Sequence, residues 1–397
     1  MTSTRHQTGP APAPGPALGP ALEPALQPTL EPALEPALHR APVAGSPVDR
    51  ADLRARVSAE LDAFLDRQDA RLAAVAPEVV ELAVALRELL AGGKRLRPAF
   101  GYWGWRAAGM PDDGRMVTAA AALELFQACA IVHDDVMDRS DLRRGRPAAH
   151  RRFATLHRSE GWRGDGDPFG TAAAILLGDL CLSWSDEMFF GSGLEPERLA
   201  RARDIFDEMR TELMGGQYLD LLEQALGGGS VPRARRVIQF KSARYTVLRP
   251  LQLGAALAGA GRDLTECYAA YGLPLGEAFQ LRDDVLGVFG DPRQTGKPAG
   301  DDLREGKRTV LVAVAAERGT RAQRVVLDRH LGDPALDADG VAAVREVIVR
   351  TGALAEVERM IDELTGHALA ALDRAPVESE GGQVLRELAA AATARRD

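Results

Sequence analysis

Four stretches of the chain, residues 117 to 137, 171 to 190, 237 to 259 and 268 to 289, are long, rich in alanine and leucine, and apolar around most of the helical circumference. A helix that is apolar on every face is stable only where it is covered on every face, so these segments must form the middle of a larger assembly. Elsewhere apolar residues recur at three- and four-residue spacing, as in "LRARVSAELDAFLDRQDARLAAV" and "VAAVREVIVRTGALAEVERMIDELTGHALAAL". The alternating strands and Asn-Gly or Asp-Gly turns that mark hairpins are absent from the sequence. The chain therefore reads as an all-α bundle of about a dozen helices, with breaks at "AGGKRLRP", "RGDGDPFG", "LGGGSVP" and "FGDPRQTGKPAGDD".

Residues 1–47 stand apart. A proline recurs at every fourth position from Pro16 to Pro36. Each one removes an amide donor and clashes with the preceding turn, so no stable helix survives there. We read a disordered Pro/Ala-rich tail, with neither the apolar core of a signal peptide nor the arginine-rich character of a transit peptide. Residues 48–397 then form a single domain. A formal net charge of -8 argues against nucleic acid as the main partner. No apolar run is expected to supply the roughly 20 residues of a membrane span. Cys129, Cys181 and Cys267 are too widely spaced for a zinc site and odd in number for a disulfide framework, which suits a reducing cytoplasm.

Two of the apolar stretches end in paired aspartates. Asp134 and Asp138 are one helical turn apart, as are Asp135 and Asp138, so the three carboxylates share a face. Like charges at this spacing destabilise a helix unless something positive sits between them. The second pair, Asp283 and Asp284 in "FQLRDDVLGVFGD", again follows an apolar run. Magnesium takes one or two carboxylates and fills its other positions with water and phosphate oxygens, so two such helix ends could clamp a diphosphate. Either motif alone would read as a solvated acidic patch; their joint occurrence favours the metal site. Basic residues accompany them: Lys94, Arg95 and Arg97 in "GGKRLRP", Arg143, Arg144 and Arg146 in "LRRGRP", then Lys241, Lys297 and Lys307. Arginine forks and lysine point charges suit phosphate oxygens. The combination suggests two anionic substrates, one gripped through metal and one directly.

The order of motifs resembles the polyprenyl synthetase (trans-isoprenyl diphosphate synthase) family, most closely its actinobacterial geranylgeranyl diphosphate synthase branch. The matching segments are "GGKRLRP", "DDVMD" with "RRGRP", "LLGD", "GGQYLD", "KSARYT", "GEAFQLRDDVLG" and "TGKPAGDDLREGKRT". The resemblance implies an isoprenoid synthase-type bundle around a central apolar cavity, working as a homodimer. It also implies an allylic diphosphate held by three magnesium ions, which ionises and is attacked by isopentenyl diphosphate. Carried over by position, Asp134, Asp135, Asp138 and Asp283 bind metal, and Asp284 and Asp301 support that cluster. Arg143, Lys241 and Lys297 contact the allylic diphosphate, with Gln217, Asp220, Gln280 and Lys307 nearby. Lys94, Arg97, Gln127 and Arg144 hold isopentenyl diphosphate.

Two positions depart from the family's pattern. Gln127 stands where many members have histidine, and Gly287 replaces the last aspartate of the second motif, with Asp291 four residues further on. Product length is expected to depend on the helix ahead of "DDVMD". Ala130 and Cys129 lie about 6 and 7.5 Å below Asp134, and Phe126 about 12 Å below it. In the family a bulky aromatic at the first two levels acts as a floor. Here both side chains are small and Phe126 is the nearest large one, which points to a twenty-carbon product, with a longer chain or farnesyl diphosphate as alternatives. A regulatory subunit is disfavoured because metal and phosphate ligands are both retained. A terpene cyclase is disfavoured by the second aspartate pair and by "GGKRLRP".

Overall fold

All four apolar stretches are helices, and they pack as the sequence demands. The computed structural model describes residues 46–227, 229–290 and 300–393. The tail expected at residues 1–47 lies almost wholly outside the described residues, as do Lys297 and Asp291. In chain order the helices are α1 (Leu53–Val75), α2 (Glu81–Leu90), α3 (Leu96–Ala107), α4 (Gly114–Asp138), α5 (Ala149–Ser159), α6 (Gly166–Phe190) and α7 (Pro196–Leu226). A continuous helix follows, made of α8 (Val231–Val237), a π-wound segment (Ile238–Leu248) and α9 (Arg249–Ala258). Next come α10 (Arg262–Phe289), α11 (Asp301–Arg304), α12 (Val310–Arg318), α13 (Arg321–His330), α14 (Ala338–Arg350), α15 (Ala353–Asp373) and α16 (Ser379–Thr393).

Helix α4 begins where the Asp113 carboxylate accepts from the Arg115 amide at 2.8 Å. It stops just after Asp138, because Arg139 turns left-handed at φ 57°. It is the one described helix long and apolar enough to cross a membrane, which corrects the expectation that no run approaches that length. Its most apolar window is 72% buried within the bundle, so its apolarity serves the core. The 31-residue α7 was not among the expected central helices. Its sequence is heavily charged, yet Ala202, Phe206, Met209, Leu213, Gly216, Asp220 and Glu223 are buried at alternating spacings of four and three, a heptad seam. Gly216 lets this seam run against the π-wound segment, since a Cβ there would lie 2.3 Å from the Lys241 amide nitrogen.

One hairpin was also missed. Leu142–Arg143 (β1) pairs antiparallel with Arg146–Pro147 (β2) through a turn at Arg144 and Gly145, both at positive φ (54° and 73°). Type I′ two-residue hairpin turns require this conformation at both central residues. Arginine is an unusual occupant, because a non-glycine residue held there costs roughly 1–3 kcal/mol.

Buried apolar side chains form two cores. The larger draws on α1 to α7, the π-wound segment, α9, α15 and α16, and the smaller on α8, the start of the π-wound segment and α11 to α15. Helix α10 belongs to both, contributing Leu275 and Phe279 to the first and Leu281, Val285 and Val288 to the second. The functional cavity opens along α10 between them, lined from both cores.

Candidate active site

A cavity of about 700 Å³ gathers nearly all the charged motifs. Helix α4 presents Gln127, Ala130, Ile131 and Asp134 to it, a single stripe at helical spacing. Helix α10 adds Gln280, Asp283 and Asp284. Asp134 lies about one turn from the end of α4, and Asp283 and Asp284 within two turns of the end of α10. Such a concentration of negative charge has to be met by cations.

The protein supplies three of them from its own side chains. Lys241 Nζ donates to Asp134 at 3.0 Å and to Asp220 at 2.6 Å, while Gln217 Nε2 donates to Asp134 at 2.9 Å. Arg143 grips Asp135 with Nε at 2.9 Å and lies 3.7 Å from Asp134. Lys307 Nζ lies 2.6 Å from Glu305, 3.3 Å from Asp302 and 3.4 Å from Asp138. Burial by itself raises the pKa of Asp134, but Lys241, Lys307 and Arg143 outweigh it and hold the carboxyl well below the usual range. Asp138 goes the other way: burial and the neighbouring Asp134 push it up to about 6. Burial also pushes Asp284 well up, against a hydrogen bond from Gln280 at 2.8 Å.

This arrangement suits a hard divalent cation. Neither carboxylate oxygen of Asp138 accepts a hydrogen bond, although its side chain is only 1% exposed beside Asp134. Lys307, 3.4 Å away, is shared with Glu305 and Asp302, so Asp138 keeps lone pairs for a further cation. Among the described residues no three carboxylate, histidine or cysteine side chains are already gathered around one point. That matches magnesium, which needs only one or two protein carboxylates when phosphate and water complete its shell.

The geometry separates residues that the sequence had grouped. Asp135 does not line the cavity; it is 1% exposed and turned into Arg143. Cys129 is fully buried with Sγ 3.7 Å from His133 Nδ1, away from the cavity that Ala130 lines. Phe126 meets the Tyr245 ring edge-on at 6.2 Å. Arg95 pairs with Glu124 at 2.7 Å, both side chains 5% exposed, and so secures the entry to α3, where Lys94 and Arg97 reach the cavity. Arg144 reaches the cavity from the strained turn and donates to the Leu89 carbonyl at 2.8 Å. Burial lowers its pKa.

Sequence reading passed over Asp302. It lines the cavity together with Asp301, and it explains Gly287: a Cβ at that position would lie 2.0 Å from Asp302 Oδ2. The space left by the missing aspartate is filled by another carboxylate. Gly287→Asp, although it completes the motif, is therefore expected to reduce turnover and to lower the melting temperature by several degrees, an overpacking effect of about 1–3 kcal/mol. Thermal denaturation with steady-state kinetics checks this, and an unchanged protein would remove Asp302 from the account. Tyr245, Thr246 and Glu305 were also overlooked.

The fold is that of the all-α isoprenoid synthases. Residues 79–348 match the polyprenyl synthetase family, and the chain belongs to it. It is a trans-isoprenyl diphosphate synthase. A geranylgeranyl pyrophosphate synthase from Corynebacterium glutamicum, solved in complex with isoprenyl diphosphate and magnesium, is 42% identical. It superposes with a TM-score of 0.83 over 86% of this chain and 98% of that one. A geranylfarnesyl diphosphate synthase from Aeropyrum pernix is 32% identical over 77% of this chain and 91% of its own length. A geranylgeranyl diphosphate synthase from Methanosarcina mazei is 34% identical over 66% of this chain and 75% of its own. Enzymes of this family act on isoprenyl diphosphates with a divalent metal.

Proposed function

We propose that the enzyme condenses isopentenyl diphosphate with an allylic diphosphate and makes geranylgeranyl diphosphate. The observation that carries this reading is the single cavity that joins both aspartate-bearing helix ends to a basic rim of Lys94, Arg97 and Arg144. Asp134, Asp138 and Asp283 would hold three magnesium ions, which when bound neutralise the departing diphosphate. Arg143 and Lys241 pre-organise positive charge for the same group, and Asp135 acts through Arg143. Gln127 and the basic rim hold the diphosphate that isopentenyl diphosphate retains. Ala130, Ile131, Leu213 and Phe279 give the cavity an apolar wall that keeps water from an allylic cation.

Mass analysis of products tests the proposal, using magnesium, isopentenyl diphosphate and each of dimethylallyl, geranyl and farnesyl diphosphate. A twenty-carbon product is expected from every starter accepted; a fifteen- or twenty-five-carbon end point would reject the chain length, and no product would reject the reaction. The exposed Ile175 and Leu176 on α6 support a homodimer, and the free thiols support a reducing, cytoplasmic setting.

Lys94→Ala and Arg97→Ala are expected to raise KM for isopentenyl diphosphate about 10- to 100-fold, the loss of a hydrogen bond to a charged group. Their effect on kcat should be small, since the second substrate's diphosphate is bound alike in ground and transition states. A rise confined to the allylic KM would mean that the two diphosphate sites are exchanged.

A further inference from the structure

The proposed isopentenyl diphosphate site depends on two side chains that could each point the wrong way. Gln127 is an amide with an acceptor at one end and a donor at the other, on a side chain with three rotatable bonds. Only the donor end suits a diphosphate. Arg97 is long and mobile, and its guanidinium has to be held at the cavity wall to be of use there. Both meet the same residue of the π-wound segment. The Tyr245 hydroxyl donates to Gln127 Oε1 at 2.5 Å. The Arg97 guanidinium carbon lies 4.2 Å from the centroid of the Tyr245 ring, within the range of a cation–π contact. Arg97 also donates to Thr246 Oγ1, on the next residue, at 2.8 Å. Phe126 closes on the ring from α4 at an interplanar angle of 86°, which fixes the ring's plane. Tyr245 is itself 7% exposed.

We infer that Tyr245 is the positioning residue of the isopentenyl diphosphate site: its hydroxyl selects the donor face of Gln127 and its ring seats Arg97. The inference rests on the function proposed above and adds a residue to it. It also accounts for the glutamine. With Oε1 held by the tyrosine, the Nε2 hydrogens turn to the opposite side, and Gln127 lines the cavity. Untethered, the same amide could equally offer its oxygen, which repels phosphate. Tyr245 touches no reacting atom; it acts through its two partners.

Tyr245→Phe removes the hydroxyl and keeps the ring, so it isolates the effect on Gln127. The expected result is a KM for isopentenyl diphosphate raised roughly 5- to 30-fold, with kcat, the allylic KM and the melting temperature close to those of the parent. Calorimetric titration of isopentenyl diphosphate into the magnesium-loaded protein should show the same loss without turnover. In a Gln127→Ala background the further loss on adding Tyr245→Phe should vanish, since the two residues act as one unit. Tyr245→Leu, which also unseats Arg97, should raise KM beyond the Phe variant. An unchanged KM in Tyr245→Phe, an undiminished effect in the Gln127→Ala background, or a lowered melting temperature with a parallel loss of kcat would overturn the assignment. The first two would do so while leaving the proposed function standing; a parent enzyme that fails to consume isopentenyl diphosphate would overturn both.

Discussion

Asp134→Ala is expected to lower kcat by about three orders of magnitude or more, the scale on which transition-state charge stabilisation operates, while leaving the melting temperature nearly unchanged. Lys241 would keep its partner Asp220 at 2.6 Å, so no buried cation is abandoned. Asp135→Ala should behave differently. The sequence suggests an exposed carboxylate whose removal spares the fold, but Asp135 is 1% exposed and holds Arg143. Truncating one partner of a buried pair costs about 3–5 kcal/mol, so this variant should lose both activity and stability. Steady-state kinetics beside thermal denaturation separates the two. Parent-like turnover in Asp134→Ala would end the metal-clamp assignment, and equal melting temperatures would end the anchoring role of Asp135.

The second large effect is on product length. Ala130 lines the cavity one helical turn from Asp134, about 6 Å along the axis. A phenylalanine there would project into the space that a growing chain must fill. Ala130→Phe is expected to shift the main product from twenty to fifteen carbons or fewer, read directly by mass analysis. Cys129→Phe is not an equivalent test, because Cys129 packs towards His133 with no exposed surface. Overpacking at such a site typically costs about 1–3 kcal/mol. A twenty-carbon product from Ala130→Phe would show that the chain runs along another wall.

What could be read in advance followed from local chemistry. Apolarity on all faces marked α4, α6, the helix through the π-wound segment and α10 as central, and helical spacing placed Asp134 on one face with its neighbours. Helix α7 escaped because a heptad seam is thin and charges surround it on both sides. The hairpin escaped because it has no alternating strand, only a positive-φ arginine before a glycine. Asp135 and Cys129 were misplaced for a different reason: spacing fixes which residues share a face, not which neighbour that face meets. Pairings such as Lys307 with Asp138 (3.4 Å), or Tyr245 with Gln127 (2.5 Å), depend on segments far apart in sequence. Asp302 was hidden most thoroughly, as one aspartate of the short α11 whose meaning appears only against the missing side chain of Gly287.

Lys241 and Lys307 sit among the carboxylates as resident counter-ions. In small zinc domains folding waits for the metal, because nothing else neutralises the ligands. Here the carboxylates proposed as ligands already have the chain's own ammonium groups beside them, so folding need not wait for a metal.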